Sequence, residues 1–171
     1  MSDSKQSAAS REPTKVLGAK QLSTEYTERS AVRIVVAGPN GEVIIIKVAK
    51  GNYYKLPGGG VKTGEDHLRA AEREVAEETG CSVSIQEGCV ATTEEYRNYL
   101  HQISYCYRAQ LLDKTGKPEL TEEEVEDGLR HEWVPVDKAL ELMAAVQPTS
   151  DLGRFIKERD IFLLTEATKS K

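Results

Sequence analysis

The stretch LPGGGVKTGEDHLRAAEREVAEETGC, from Leu56 to Cys81, constrains the fold more than any other part of the chain. A proline followed by three glycines requires a turn. Gly64-Glu65-Asp66 opens a helix, and Gly80 closes it where a left-handed C-cap is expected. Between them Leu68, Ala71, Val75 and Thr79 recur at helical spacing, which gives the helix one packing face. Glu74, Glu77 and Glu78 fall on a narrow neighbouring face. Carboxylates crowded together repel unless something positive lies between them. A hard divalent cation takes oxygen ligands and suits that cluster. The ordinary alternative is a solvated acidic face; the glycine turn and the two caps favour the metal.

These residues resemble the Nudix box, which runs Gly, five residues, Glu, seven residues, then Arg-Glu-aliphatic-any-Glu-Glu-any-Gly-aliphatic. Gly59, Glu65, Arg73, Glu74, Val75, Glu77, Glu78 and Gly80 fit it. Cys81 stands where an aliphatic residue is expected, and cysteine behaves as a small buried hydrophobe. The resemblance implies a Nudix hydrolase: an α/β fold, an α/β/α sandwich with a mixed sheet, and metal-assisted cleavage of a diphosphate linkage. It implies that Glu74, Glu77 and Glu78 hold Mg²⁺, with Mn²⁺ as the other candidate ion and the Gly58 carbonyl as a further ligand. Arg73 would orient a box glutamate; its alternative is a surface i,i+4 pair with Glu77. Glu65 has two readings, a part in catalysis or complementing the dipole at the helix start. The catalytic base is a box glutamate, Glu74 or Glu77, or a glutamate of a later loop. Within Glu119 to Glu124 the expectation falls on Glu123, against a solvated acidic loop or a short helix start.

The box specifies a reaction class and not a leaving group. Lys47, Lys50, Lys55 and Lys62 cluster around it in an otherwise acidic chain. As point charges they fit a highly charged phosphate substrate; the alternative is solubility and strand-edge protection. Tyr99, with Tyr96, follows the box as in several dinucleoside polyphosphate hydrolases. ADP-ribose hydrolases often carry a proline shortly after the box, whereas here the next proline is Pro118. The expected substrate is therefore a nucleoside or dinucleoside polyphosphate. A diphosphoinositol polyphosphate, an oxidised nucleoside triphosphate and a non-catalytic nucleotide-binding role are the alternatives.

A chain of 171 residues suffices for one domain with its own core. A net charge of −5 gives no reason to expect nucleic-acid or membrane partners. The three cysteines lack metal spacing, and their odd number argues against a disulfide framework. With no apolar signal core, the expected setting is the cytoplasm. Residues 1–24 read as a flexible polar tail and 25–168 as a single Nudix domain. Ser30 to Gly38 and Glu42 to Ala49 form a hairpin signal around Pro39-Asn40-Gly41. Ile44-Ile45-Ile46 suggests a strand buried on both faces. Leu100 to Leu112 alternates, with His101, Ile103, Tyr105 and Tyr107 on its apolar side. Asp137 is expected to cap a helix ending near Val146, and Asp151 to start the last one. The strand around Tyr26 to Val36 is a candidate edge for pairing with a second copy, so a homodimer is an open expectation.

Overall fold

The computed structural model describes residues 14–169. The first two strands, β1 (Thr14–Leu17) and β2 (Thr27–Ala37), are followed by β3 (Glu42–Val48), β4 (Tyr53–Lys55) and β5 (Gly58–Gly60). The box helix α1 (His67–Thr79) comes next, then β6 (Ser82–Ile85), β7 (Ala91–Arg97) and β8 (Leu100–Asp113). A short helix α2 (Glu122–Asp127), β9 (Leu129–Pro135), α3 (Val136–Ala145) and α4 (Asp151–Ala167) complete the chain.

The main strand path is β1-β7-β8-β2-β3-β4, with β5 on β2, β6 on β8 and β9 on β3. Pairing is mixed: β2 runs parallel to β8 and β1 parallel to β7, while the other ladders are antiparallel. Successive side chains of a strand point to opposite faces, and here helices cover both. Val32, Ile34, Val36 and Ile44 pack with Ala70, Ala71 and Val75 of α1. Val35, Val43 and Ile45 pack with Ala139 and Met143 of α3 and Leu163, Leu164 and Ala167 of α4. The isoleucine run is thus buried on both sides, and the fold is a three-layer α/β/α sandwich.

Four local expectations change. The expected tail includes Thr14–Leu17, which pair with β7 in register Thr14↔Thr92 to Leu17↔Glu95; Leu17 is buried. A short polar segment gains order by adding to an existing edge, which periodicity does not reveal. Residues 18–24 of that expectation form no strand or helix, and residues 1–13 lie outside the described residues. Strand β2 is interior, with β8 on one side and β3 and β5 on the other, so it offers no free edge to a second copy. In β8 the polar side is the deeper one at its start: Gln102, Ser104 and Cys106 are buried, whereas Ile103 and Tyr105 are only partly covered. Alternation cannot tell inside from outside when both faces carry helices. Asp137 lies in the first turn of α3 rather than at its cap, which is Pro135. Helix α4 does begin at Asp151, capped by the Ser150 hydroxyl, which accepts from Gly153 N–H.

Candidate active site

The glycine turn is built by its contact with β2. Gly58 pairs with Arg33 and Gly60 with Ala31. Gly58 has φ +153°, and a Cβ there would stand 2.0 Å from the Val32 carbonyl oxygen. Only glycine fits such an approach. The turn is also tied from behind, because Leu56 N–H donates to buried Asp160 Oδ2 of α4 at 2.9 Å.

Helix α1 then presents its carboxylates to this turn. Asp66 caps it by accepting from Arg69 N–H, and Gly80 ends it at φ +75°. Glu78 is 4% exposed. It accepts from Gly58 N–H at 2.7 Å and from Lys55 Nζ at 2.6 Å. Burial pushes its pKa up, against the opposing pull of Lys55 and the Gly58 amide. Lys55 Nζ also lies 3.4 Å from the Gly58 carbonyl oxygen. A positive group thus already stands between two of the oxygens expected to bind a cation.

Arg73 gathers the remaining acids. Its Nε and Nη2 donate to the two oxygens of Glu65 at 2.8 and 2.9 Å. Its Nη1 reaches Glu74 Oε1 at 2.9 Å and Glu77 Oε2 at 3.3 Å, and Nη2 also donates to Gly60 O at 3.1 Å. Such forked, charge-assisted bonds fix geometry as well as charge. They raise the Arg73 pKa, and Arg73 with the Lys62 N–H holds Glu65 down to about 2. A carboxylate that acidic is a poor proton acceptor near neutrality. Glu65 therefore suits the task of orienting Arg73. Glu74 packs so tightly on Gly59 that a Cβ there would come within 2.6 Å of its carboxylate. Glu77 is the most open, with 38% of its side chain exposed.

Among the described residues, no three His, Cys, Asp or Glu side chains converge closely enough to hold an ion as they stand. The donors are nevertheless of the right kind. Glu74, Glu77 and Glu78 offer hard oxygens beside the Gly58 carbonyl, which suits Mg²⁺ or Mn²⁺. Their present partners are the cations Arg73 and Lys55. The residues fit a divalent ion provided that Glu78 and Glu77 exchange those partners for it.

A cavity of about 280 Å³ opens beside this turn, lined by Arg29, Arg33, Tyr53, Lys55, Arg97, Gln102 and Arg159, with Glu124 and Asp127 of α2. Of the expected substrate lysines only Lys55 lines it. Lys47 donates to Asn52 Oδ1 and stacks on Tyr54, while Lys50 lies 3.7 Å from Asp127. Lys62 is exposed on the loop before α1, and Tyr99 is 74% exposed at the β7–β8 turn. The acidic run is the short helix α2, with a capping box between Thr121 and Glu124. Glu124, not the expected Glu123, faces the cavity. The loop before it is held against the box helix, since Glu119 N–H donates to Glu77 O at 2.7 Å. Sequence reading missed the four arginines. They lie on β2, β7 and α4 with no common spacing, and each alone reads as a surface charge.

The chain is similar to several known proteins. A curated RNA pyrophosphohydrolase of Pelagibacter ubique (strain HTCC1062) is 43% identical over 53 residues, 30% of this chain and 34% of that protein. The match thus spans about a third of the relative's length. Among solved structures, a NUDIX hydrolase from Nitrosomonas europaea aligns with a TM-score of 0.58 at 19% identity, over 78% of this chain and 88% of that one. A MutT protein from Methanosarcina mazei Go1 aligns at 0.57 and 17%, over 87% of this chain and 100% of that one. Both show a common fold. The family model described as the NUDIX domain matches residues 27–152, and the chain belongs to that family.

Proposed function

We infer that this protein hydrolyses a phosphoanhydride bond with the help of a divalent ion, in a nucleoside or dinucleoside polyphosphate. The observation that carries this reading is the set of acids organised by Arg73 and Lys55 around the Gly58 turn, at the edge of a cationic cavity. When bound, Mg²⁺ would neutralise phosphate charge and acidify a water. Glu74, Glu77, Glu78 and the Gly58 carbonyl would hold it. Arg73 keeps Glu74 aligned, and Glu65 keeps Arg73 in place. Glu77, the most exposed acid and the one with the longest bond to Arg73, is the carboxylate best placed to take a proton from water. Lys55, displaced from Glu78, is then free for a substrate phosphate.

The 43% identity to a protein named as an RNA pyrophosphohydrolase favours one member of this substrate class, a polyphosphate at the 5′ end of an RNA. A panel of nucleoside triphosphates, dinucleoside polyphosphates, nucleotide sugars, diphosphoinositols and 5′-triphosphate RNA, assayed with and without Mg²⁺, tests the reading. Turnover is expected with Mg²⁺ and not with EDTA, and Glu77→Gln should reduce it by about a hundred-fold, the scale of a positioned base. Near-wild-type turnover by Glu77→Gln would remove the assigned role.

A further inference from the structure

The arginines of the cavity are not all accounted for by the acids around them. Arg159, buried in α4, is matched by Asp160 at 2.7 Å and Glu95 at 3.2 Å. Lys55 is matched by Glu78, and Arg97 stands 3.6 Å from the second oxygen of Glu95. At the mouth, Asp127 is engaged by Lys50 and Glu124 by the cap of α2. Two cations remain. Among the described residues neither Arg29 nor Arg33 has a carboxylate within 4 Å.

Arg33 is the more telling of the two. Its residue is 5% exposed, its Nε is buried without a hydrogen-bond partner, and it lines the cavity directly beside Gly58. A buried charge without a counter-charge is costly, and a buried unsatisfied polar atom calls for a partner. Arg29 stands four residues earlier on the same face of β2, at the rim, bonded to Gln102 Oε1 and lying over Gly60, so that it bridges the cavity to the box. The Nε of Arg97 is likewise buried without a hydrogen bond, although Glu95 stands 3.6 Å from it.

We propose that Arg33 and Arg29, with Arg97, form an anion subsite that seats the non-reacting terminal phosphates of a polyphosphate substrate. It rests on the hydrolase reading above and names the substrate's chemistry more closely. The cavity is just below the roughly 300–1,000 Å³ of sites that enclose drug-sized ligands. Its small size and its lining by four arginines and a lysine suit a phosphate end. Its aromatic lining residue, Tyr53, is itself largely buried and leaves little ring for a base to stack on. Substrates that end in two or more phosphates gain from this subsite. Nucleotide sugars and dinucleoside polyphosphates, whose phosphates are flanked by organic groups on both sides, do not, so the subsite narrows the substrate class to polyphosphates with a free end.

The test is binding of inorganic tripolyphosphate to the intact protein in EDTA, by calorimetry and by the rise in Tm. Wild type should bind it and be stabilised. Arg33→Met, which replaces the buried charge with an apolar chain of similar length, should weaken binding by about ten-fold or more, the scale of one lost charge-assisted contact. Arg29→Met should weaken it in the same direction and tests the subsite from the rim should Arg33→Met fold poorly. Arg69→Met removes a distant exposed charge and should bind as wild type. Unchanged affinity in both cavity variants, or equal losses in all three, would overturn the proposal. Because the readout needs neither metal nor turnover, an Arg33-dependent affinity in a protein that hydrolyses nothing would sink the hydrolase reading and leave the subsite standing.

Discussion

Replacing Asp160 by alanine should be among the most damaging single changes outside the box, and its cost follows from two contacts. Oδ1 accepts from Arg159 Nε at 2.7 Å, and Oδ2 accepts from Leu56 N–H at 2.9 Å, both fully buried. In Asp160→Ala, Arg159 keeps only Glu95 as a close acidic partner. Breaking a buried ion pair by removing one partner costs about 3–5 kcal/mol. Leaving a buried amide unsatisfied costs about 1–3 kcal/mol. The two losses belong to one network and do not simply add, so the expected destabilisation is about 4 kcal/mol. For a domain of this size that lowers Tm by roughly 8–16 °C. Asp160→Asn keeps an acceptor for Leu56 but not the charge, and should fall between wild type and alanine. Urea unfolding followed by circular dichroism, with unchanged m-values, measures both. A loss below about 1 kcal/mol for Asp160→Ala would refute the claim that this carboxylate clamps the turn to α4.

Two further outcomes follow from local geometry. Gly58→Ala should cost at least about 2 kcal/mol, because its backbone conformation is strained for alanine and its Cβ would overlap the Val32 carbonyl; a thermal melt within a degree of wild type would contradict this. His101 lies between Glu94 and Glu28: burial opposes its charge, and the two acids outweigh it and raise its pKa. Its contribution to stability is thus complete below the unfolded value of about 6.5 and lost as pH rises through the folded one. Glu94, held low by Tyr96 and then His101, contributes above about 4.3 and loses that contribution as pH falls through its folded value. The urea midpoint of wild type should therefore drop between pH 6 and 8 more than that of His101→Gln, and equal drops would argue against the pairing.

What was legible in the sequence is what lies close along the chain. The box residues from Gly58 to Gly80 occupy one turn and one helix, so spacing alone fixes who faces whom. The turn at Pro39-Asn40-Gly41 and the doubly buried Ile44 to Ile46 were readable for the same reason. The cavity was not. Arg29 and Arg33 come from β2, Arg97 from β7 and Arg159 from α4, and only the strand order brings them together. The polar side of β8 was misread because Gln102 is buried by hydrogen bonds to Glu95 and Arg29 rather than by apolar packing. The lysines near the box looked like substrate contacts because nearness in sequence stood in for nearness in space, which holds for Lys55 alone.

The central ladder has a consequence for how the molecule comes into being. Every rung between β2 and β8 joins residues 73 positions apart, from Thr27↔Leu100 to Ala37↔Gln110. The whole box lies inside that span; β2 meets the box turn through its shorter pairing with β5, but Arg97 joins Arg29 and Arg33 only after the long loop has closed and β8 has brought β7 alongside. Closing it costs chain entropy before the pairing repays it, which slows folding. On a ribosome, β2 emerges with Val32, Ile34 and Val36 already in place while its β8 partner is still unmade. During that interval the strand is an apolar template open to other nascent chains. Production of this protein should accordingly be limited less by the stability of the finished fold than by how quickly the chain reaches Gln110.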